Sequence, residues 1–455
     1  MRDRITEALS AASGYAEIRV ERKAQTAVAF RNGETDKIAA STDIGGCVRA
    51  LVPGGGWGLV HFNSLENLDQ RVREAAASSA AIEPEEPIEL ADVEPVDMEV
   101  VAEITDDPRE HSLDEKAEIV RGYEEILRKA DERIISSMAM YSDGFSTVWF
   151  ANTEGSYFRR ERLDLVLRVS ATAREEDNVQ ISSESWSSRS SFGVTAGLED
   201  EVKKIGEIAG KLLDSDRVKA GKYTVVLDPT LAGVFIHEAF GHLSESDHIM
   251  DNPQAREMMT LGRRFGPDEL NVSENGTVKP DQRGTIMVDD EGVRCRKNYL
   301  IKDGVLVGRL HNRETAAKLG EEVTGNARAQ DYGKPPIVRM TNTAIENGDV
   351  PFEELIADID EGIYCIKAYG GQTMMENFSF SAGYAYMIRG GKIAELVRDV
   401  VLQGNLFKTL RNIEGIGDDF TWIESGGACG KGGQRAPVGF GSPHIRIKDV
   451  IIGGE

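Results

Sequence analysis

The stretch GKYTVVLDPTLAGVFIHEAFGHL, residues 221–243, decides how this chain is read. Its first eight residues, GKYTVVLD, form a short apolar strand that feeds straight into a helix at Pro229. Asp228 is a natural helix cap and proline suits a first turn, so the start is well signalled. The helix then carries His237, Glu238 and His242. A helix advances about 100° per residue, so histidines at i and i+4 share a face, as in the zinc-binding pattern H-E-x-x-H. Here the second histidine falls at i+5, and in a regular helix the two would point about 140° apart. They can clasp one ion only if the helix widens or ends near Gly241, where a missing Cβ tolerates unusual torsions and a π-bulge is a known device.

Beyond this stretch, the chain to residue 455 is a series of short apolar segments separated by glycine turns: GTIMVDDEG, YLIKDGVLVGRL, AYMIRGGKIAELV and HIRIKDVIIGG. That pattern predicts a mainly antiparallel β domain carrying the metal-site helix. On the amino-terminal side, residues 15–62 alternate apolar and polar positions around turns at Asn32-Gly33 and residues 54–56, an antiparallel meander. Helices are expected over residues 65–79, 113–133 and 198–213, and strands over 134–141, 146–151 and 163–173. An acidic stretch with three prolines, residues 81–107, reads as an extended connector, and residues 182–191 as a polar, serine-rich run. The fold class is therefore α+β, with an amino-terminal α+β domain over residues 1–215 and a β-rich domain over 216–455. A length of 455 residues fits that division, since one core rarely serves more than about 300.

A net charge of −24 repels a phosphate backbone, and the lysines and arginines form no basic stripe, so direct nucleic-acid binding is not expected. The charged amino terminus has no signal-like apolar core, and no segment approaches the length of a membrane span, which predicts a soluble, cytoplasmic protein without membrane contact. Cys47, Cys295, Cys365 and Cys429 lie far apart and form no CxxC pair.

Chemically, two neutral imidazoles and an adjacent carboxylate suit metal-assisted hydrolysis, with the histidines as ligands and Glu238 moving the proton. Ordinary polar roles on a half-buried helix are the alternative for the histidines, but the glutamate after one and the glycine before the other favour a metal. A catalytic zinc needs a third protein ligand. Candidates near the helix are Glu245, Asp247 and His248, and a distant one is Cys429 in the glycine-rich loop SGGACGKGGQ, residues 425–434. That loop does not match a phosphate-binding G-x-x-x-x-G-K-[ST], because Gly432 follows Lys431.

The order HEAFGH, RETAAKLG, TGNARAQDY, RMTNT, GGQ and ACGKGGQRAPVGFGSP resembles the TldD branch of the TldD/PmbA family, once called modulators of DNA gyrase. The resemblance covers nearly all of residues 223–454 and, more weakly, the amino-terminal half. It implies a zinc peptidase for unfolded or extended peptides, with His237, His242 and Cys429 holding one Zn2+ per chain and Glu238 as the base. It also implies a dimer, either with a TldE/PmbA-like paralogue that lacks the metal motif or with a second copy. Where TldD proteins often continue G-L-E-G-D, this chain reads LSESDH, a departure that bears on substrate preference and leaves the ligands alone. Asn326, Arg328 and Asn342 are candidates for holding the peptide backbone or a carboxylate, against a plainer role as turn formers. The competing class is a non-catalytic peptide-binding or regulatory protein whose metal site is structural and closed by four protein ligands.

Overall fold

The alternation in residues 15–62 becomes the antiparallel strands Tyr15–Arg31, Glu34–Leu51 and Gly58–Phe62 in the computed structural model, which describes residues 1–453 apart from Asp251, Asp281 and Met375. Gly454 and Glu455, the end of the second expected domain, lie outside the described residues. The sheet continues through Ile134–Asn152 and Tyr157–Glu175, with Asn178–Ser188 and the short parallel strand Asp97–Val100 sharing the last edge. Four helices cover one face. Arg2–Leu9 and Leu68–Ala80 pack on Ile18, Val20 and Val48, while Leu113–Lys129 and Glu199–Asp214 pack on Val28, Phe30, Leu165 and Leu167. Because side chains alternate along a strand, the same register turns Arg19, Glu21 and Lys23 to the opposite face, toward the rest of the molecule.

Three local expectations are corrected. The strands expected at 134–141 and 146–151 are one strand, Ile134–Asn152, since pairing to both neighbours runs unbroken through Asp143 and Gly144. Residues 182–188 belong to the strand Asn178–Ser188, whose pairing to Tyr157–Glu175 runs through the serines, with Trp186 packed on the apolar cluster under the helices. GTIMVDDEG, expected as a strand, is an irregular segment in which only Val288 makes a bridge. Its acids are otherwise engaged: Asp289 accepts the N–H groups of Glu291, Val293 and Ala327, while Asp290 and Glu291 meet Arg160 and Arg49 from the first sheet.

In the carboxy-terminal region five strands close on themselves. Glu361–Met374 pairs in parallel with Gly221–Leu227, and the ring continues antiparallel through Ile445–Gly453, Val401–Asn405 and Asn377–Arg389 back to Glu361–Met374. The closed ring has no free edge. The helix leaving Gly221–Leu227 lies between this barrel and a second sheet that includes Val272–Asn275, Asn342–Ile345 and Gly439–Ser442. Leu231, Phe235, Ile236 and Phe240 anchor it in the largest apolar cluster. The fold is thus α+β, and its β-rich part carries the histidine helix. No helix among the described residues is long and apolar enough to cross a membrane.

Candidate metal centre

Asp228 caps the helix Pro229–Ile236 as its position predicts, its carboxylate accepting from Leu231 N–H at 2.8 Å. Burial pushes that carboxyl up to about 6. At His237 the helix widens into a π turn over His237–Gly241, closed by the His242 N–H donating to the His237 carbonyl. The extra residue in the turn brings i and i+5 together, and the imidazole centroids stand 5.5 Å apart. Gly241 is needed for a different reason from the one expected. Its torsions are ordinary helical ones, φ −55° and ψ −50°, but a Cβ there would lie 2.1 Å from Met340 Sδ.

The third element arrives from far along the chain. Strands Ala428–Lys431 and Gln434–Pro437 form a hairpin that sets Cys429 Sγ 3.0 Å from His242 Nε2. One donor atom from each of His237, His242 and Cys429 lies within 4.8 Å of the others. Burial pushes the Cys429 thiol up, but the two imidazoles outweigh it and hold the group at about 6. Burial likewise pushes His242 down, while Cys429 and Glu245 hold it up at about 10. The hairpin is tied in place by its neighbours: Arg339 Nη2 donates to the Cys429 carbonyl at 2.6 Å, and Lys431 Nζ reaches Asp247 at 2.6 and 2.8 Å and the Val338 carbonyl at 2.9 Å.

Each imidazole is oriented by a buried carboxylate. His242 Nδ1 lies 2.9 Å from Glu245 Oε2, so the proton sits on Nδ1 and Nε2 faces Cys429. His237 Nδ1 lies 3.5 Å from Thr343 Oγ1, which donates to Glu274 Oε2 at 2.7 Å. Thr343 and Glu274 are direct register partners on adjacent antiparallel strands, which is why they meet. His237 Nε2 is left buried without a hydrogen-bond partner. An orphaned imidazole nitrogen, a second imidazole and a thiol at one point are the donor set that zinc takes. The residues present therefore fit the ion.

Glu238 is a third exposed, with Oε2 3.7 Å from His242 Nε2. Of the local candidates for the third ligand, Glu245 is occupied on the far side of the His242 ring, Asp247 is held by Lys431, and His248 faces Glu245 at 3.8 Å. Asn326, Arg328 and Asn342 are buried, and their side chains serve the backbone nearby: Asn326 donates to the Arg339 carbonyl, Arg328 to those of Met340 and Pro437, and Asn342 to that of Asn275. Thr343, Glu274, Arg339 and Lys431 are site residues that sequence reasoning missed. Lys431 was legible as the residue two beyond Cys429 on the same strand face. Glu274 carries no local signal.

Three family models match in succession: PmbA/TldA metallopeptidase domain 1 over residues 16–81, the central domain over 106–215 and the C-terminal domain over 220–454. A metalloprotease from Synechocystis sp. is 46% identical over 443 residues, 97% of this chain and 95% of its own. A zinc metalloprotease TldD homolog from Saccharolobus solfataricus is 38% identical over 237 residues, 52% of either chain. The crystal structure of TldE from Thermococcus kodakarensis superposes with a TM-score of 0.79 at 18% identity, covering 100% of both chains, a likeness of fold alone.

Proposed function

Because this chain belongs to the PmbA/TldD metallopeptidase family and is a metalloprotease, we propose that it hydrolyses peptide bonds in unfolded or extended polypeptides, with one zinc ion held by His237, His242 and Cys429. The observation that carries this reading is the convergence of those three donors beside Glu238. Zinc bound there supplies Lewis acidity that polarises a carbonyl and lowers the pKa of water toward roughly 7. Glu238 takes a proton from the attacking water and delivers it to the leaving nitrogen as the C–N bond breaks. Glu245 and the Thr343–Glu274 pair keep both imidazoles turned with Nε2 inward.

A structural metal would need a fourth protein ligand. The carboxylates nearest the histidines are engaged with other side chains or, like Glu238, lie toward solvent, which favours the open, catalytic reading. Zinc content, and cleavage of a denatured protein with and without chelator, test it. Glu238→Gln is expected to keep zinc and fold while losing about 10²- to 10⁴-fold in turnover. Wild-type turnover in the zinc-loaded variant would remove Glu238 from the mechanism.

The substrate form and partner follow from the same reading. An extended chain can offer consecutive free backbone groups to a strand-rich cleft, and a folded one cannot. A TldE-like subunit without the metal motif, or a second copy, would wall that cleft, a reading supported by the shared fold with TldE. Incubation with one protein in native and denatured form, with and without the paralogue, should show cleavage of the denatured form only and full activity only with both subunits. Efficient cleavage of the native form by this chain alone would refute both.

A further inference from the structure

The helix-free face of the first sheet and the carboxy-terminal region enclose a cavity of about 570 Å³. Its walls carry nine lysine and arginine side chains against five carboxylates, an excess of four positive charges inside a chain whose net charge is −24. Three of the five carboxylates are already paired with cations. Asp164 is held in a fork by Arg283 at 2.8 and 2.9 Å, Asp290 is shared between Arg160 and Arg19, and Asp143 takes Lys116. Arg168 and Arg435 make no ion pair with a carboxylate among the described residues, and Arg328 spends its donors on backbone carbonyls. Arg162 stands 3.8 Å from an Asp164 already claimed, with its buried Nε unpartnered.

These guanidinium groups crowd one another. Burial, with neighbouring cations adding to it, holds both Arg162 and Arg328 down at about 9, and Arg168 is lowered by burial, Arg283 and Arg435. Like charges gathered in a partly enclosed space raise the energy of the free protein, and an anion entering it relieves that cost. The cavity also adjoins the metal centre through the chain itself. Ala428 and Pro437, opposite each other in the hairpin, line it, and Arg283 donates to the Gly427 carbonyl, two residues before Cys429. Alternation along the strand puts Ala428 on the cavity side and the Cys429 thiol on the other.

We propose that this cavity is a carboxylate-binding subsite, in which Arg162, Arg168 and Arg435 engage the acidic side chains or the terminal carboxylate of the same extended peptide that is cut at the metal centre. The inference rests on the peptidase reading above. An extended peptide spans about 3.3 Å per residue, so a short segment carries a cleavage point and an acidic stretch into neighbouring chambers. Selection would then add charge to the sequence-independent requirement for an unfolded chain.

The test uses the full chain and matched fluorescent peptides, one with a run of glutamates and one with glutamines, each with a free and an amidated carboxy terminus. Both binding, by anisotropy, and cleavage are measured. The glutamate peptide, or the free-terminus form, is expected to bind at least about tenfold tighter, in line with charge-assisted hydrogen bonds. Arg168→Gln combined with Arg435→Gln, both exposed at the cavity, should abolish that preference and leave the neutral amidated peptide unaffected; Arg162→Gln should do the same. Whether glutamates or the free terminus carry the preference identifies the source of the carboxylate. Equal binding of charged and neutral peptides by the wild type, or equal weakening of both by the variants, would overturn the proposal. Charge-dependent binding without cleavage, with the paralogue present as well as absent, would instead sink the peptidase reading, and cleavage without charge preference would sink this one.

Discussion

Replacing Thr343 by valine removes one hydroxyl and changes little else in volume, so it isolates the link between Glu274 and His237. Thr343 is wholly buried, donates to Glu274 Oε2 at 2.7 Å and stands 3.5 Å from His237 Nδ1. In the variant, Glu274 keeps the Thr341 N–H and O–H on its other oxygen but has a bare buried Oε2, and His237 Nδ1 loses its partner. A buried polar group left unsatisfied costs about 1–3 kcal/mol, which the metal-free protein should show in denaturant unfolding. Freeing the imidazole to rotate or change tautomer should weaken zinc by about 10- to 100-fold, as loss of such outer partners does elsewhere. Thr341→Val is the control, since it strips the same carboxylate without touching the histidine. Competition with a chromophoric chelator measures both. Zinc affinity unchanged in Thr343→Val, or lowered equally in Thr341→Val, would refute the relay.

Cys429→Ala is expected to lose zinc at concentrations that saturate the wild type, while alanine at Cys47, Cys295 or Cys365 leaves metal content unchanged; the opposite pattern, or metal loss on Glu245→Ala with Cys429→Ala unaffected, would move the third ligand next to the helix. Asp228 gives a pH test. Its folded pKa of about 6 lies above the ordinary 3.8, so its contribution is fully present below pH 4, fades as pH rises and is gone above pH 6. The change is about 3 kcal/mol at 1.36 kcal/mol per pKa unit. Asp228→Asn, which keeps a capping carbonyl, should flatten the fall in stability between pH 4 and 6 relative to wild type, and an unchanged slope would show that Asp228 does not titrate there.

The fold class was legible wherever side-chain alternation matched burial, as in residues 15–62, and the helix start at Asp228-Pro229 was legible from capping chemistry. Of the two ways an i+5 spacing lets the histidines meet, a widened helix or one that ends near Gly241, the structure takes the first. What failed was local pattern at positions held by distant partners. GTIMVDDEG looks like a strand, yet its acids face arginines from the other sheet, and those ion pairs outweigh strand propensity. Asn326 and Asn342, weighed as peptide-holding residues against turn formers, are buried with their amides on the Arg339 and Asn275 carbonyls, partners that no local pattern names. Glu274 could not be found at all, since its meeting with Thr343 depends on strand register over a separation of 69 residues.

Among the described residues, the hairpin that carries Cys429 pairs with no strand beyond its own two. An isolated two-stranded ribbon is marginal in water, so this arm is held by what grips its side chains and backbone, His242, Asp247 and Arg339 at the metal side and Arg328, Gln330 and Pro335 along the second strand. Cys429 and His242 are 187 residues apart in sequence, and whatever joins them acts as a clasp over a very long loop. The metal centre is therefore assembled from two jaws distant in sequence, a helix fixed in the core and a hairpin held by side-chain grips in place of a neighbouring strand. Amide exchange across residues 428–437 would report the loading of the site before any peptide is cut.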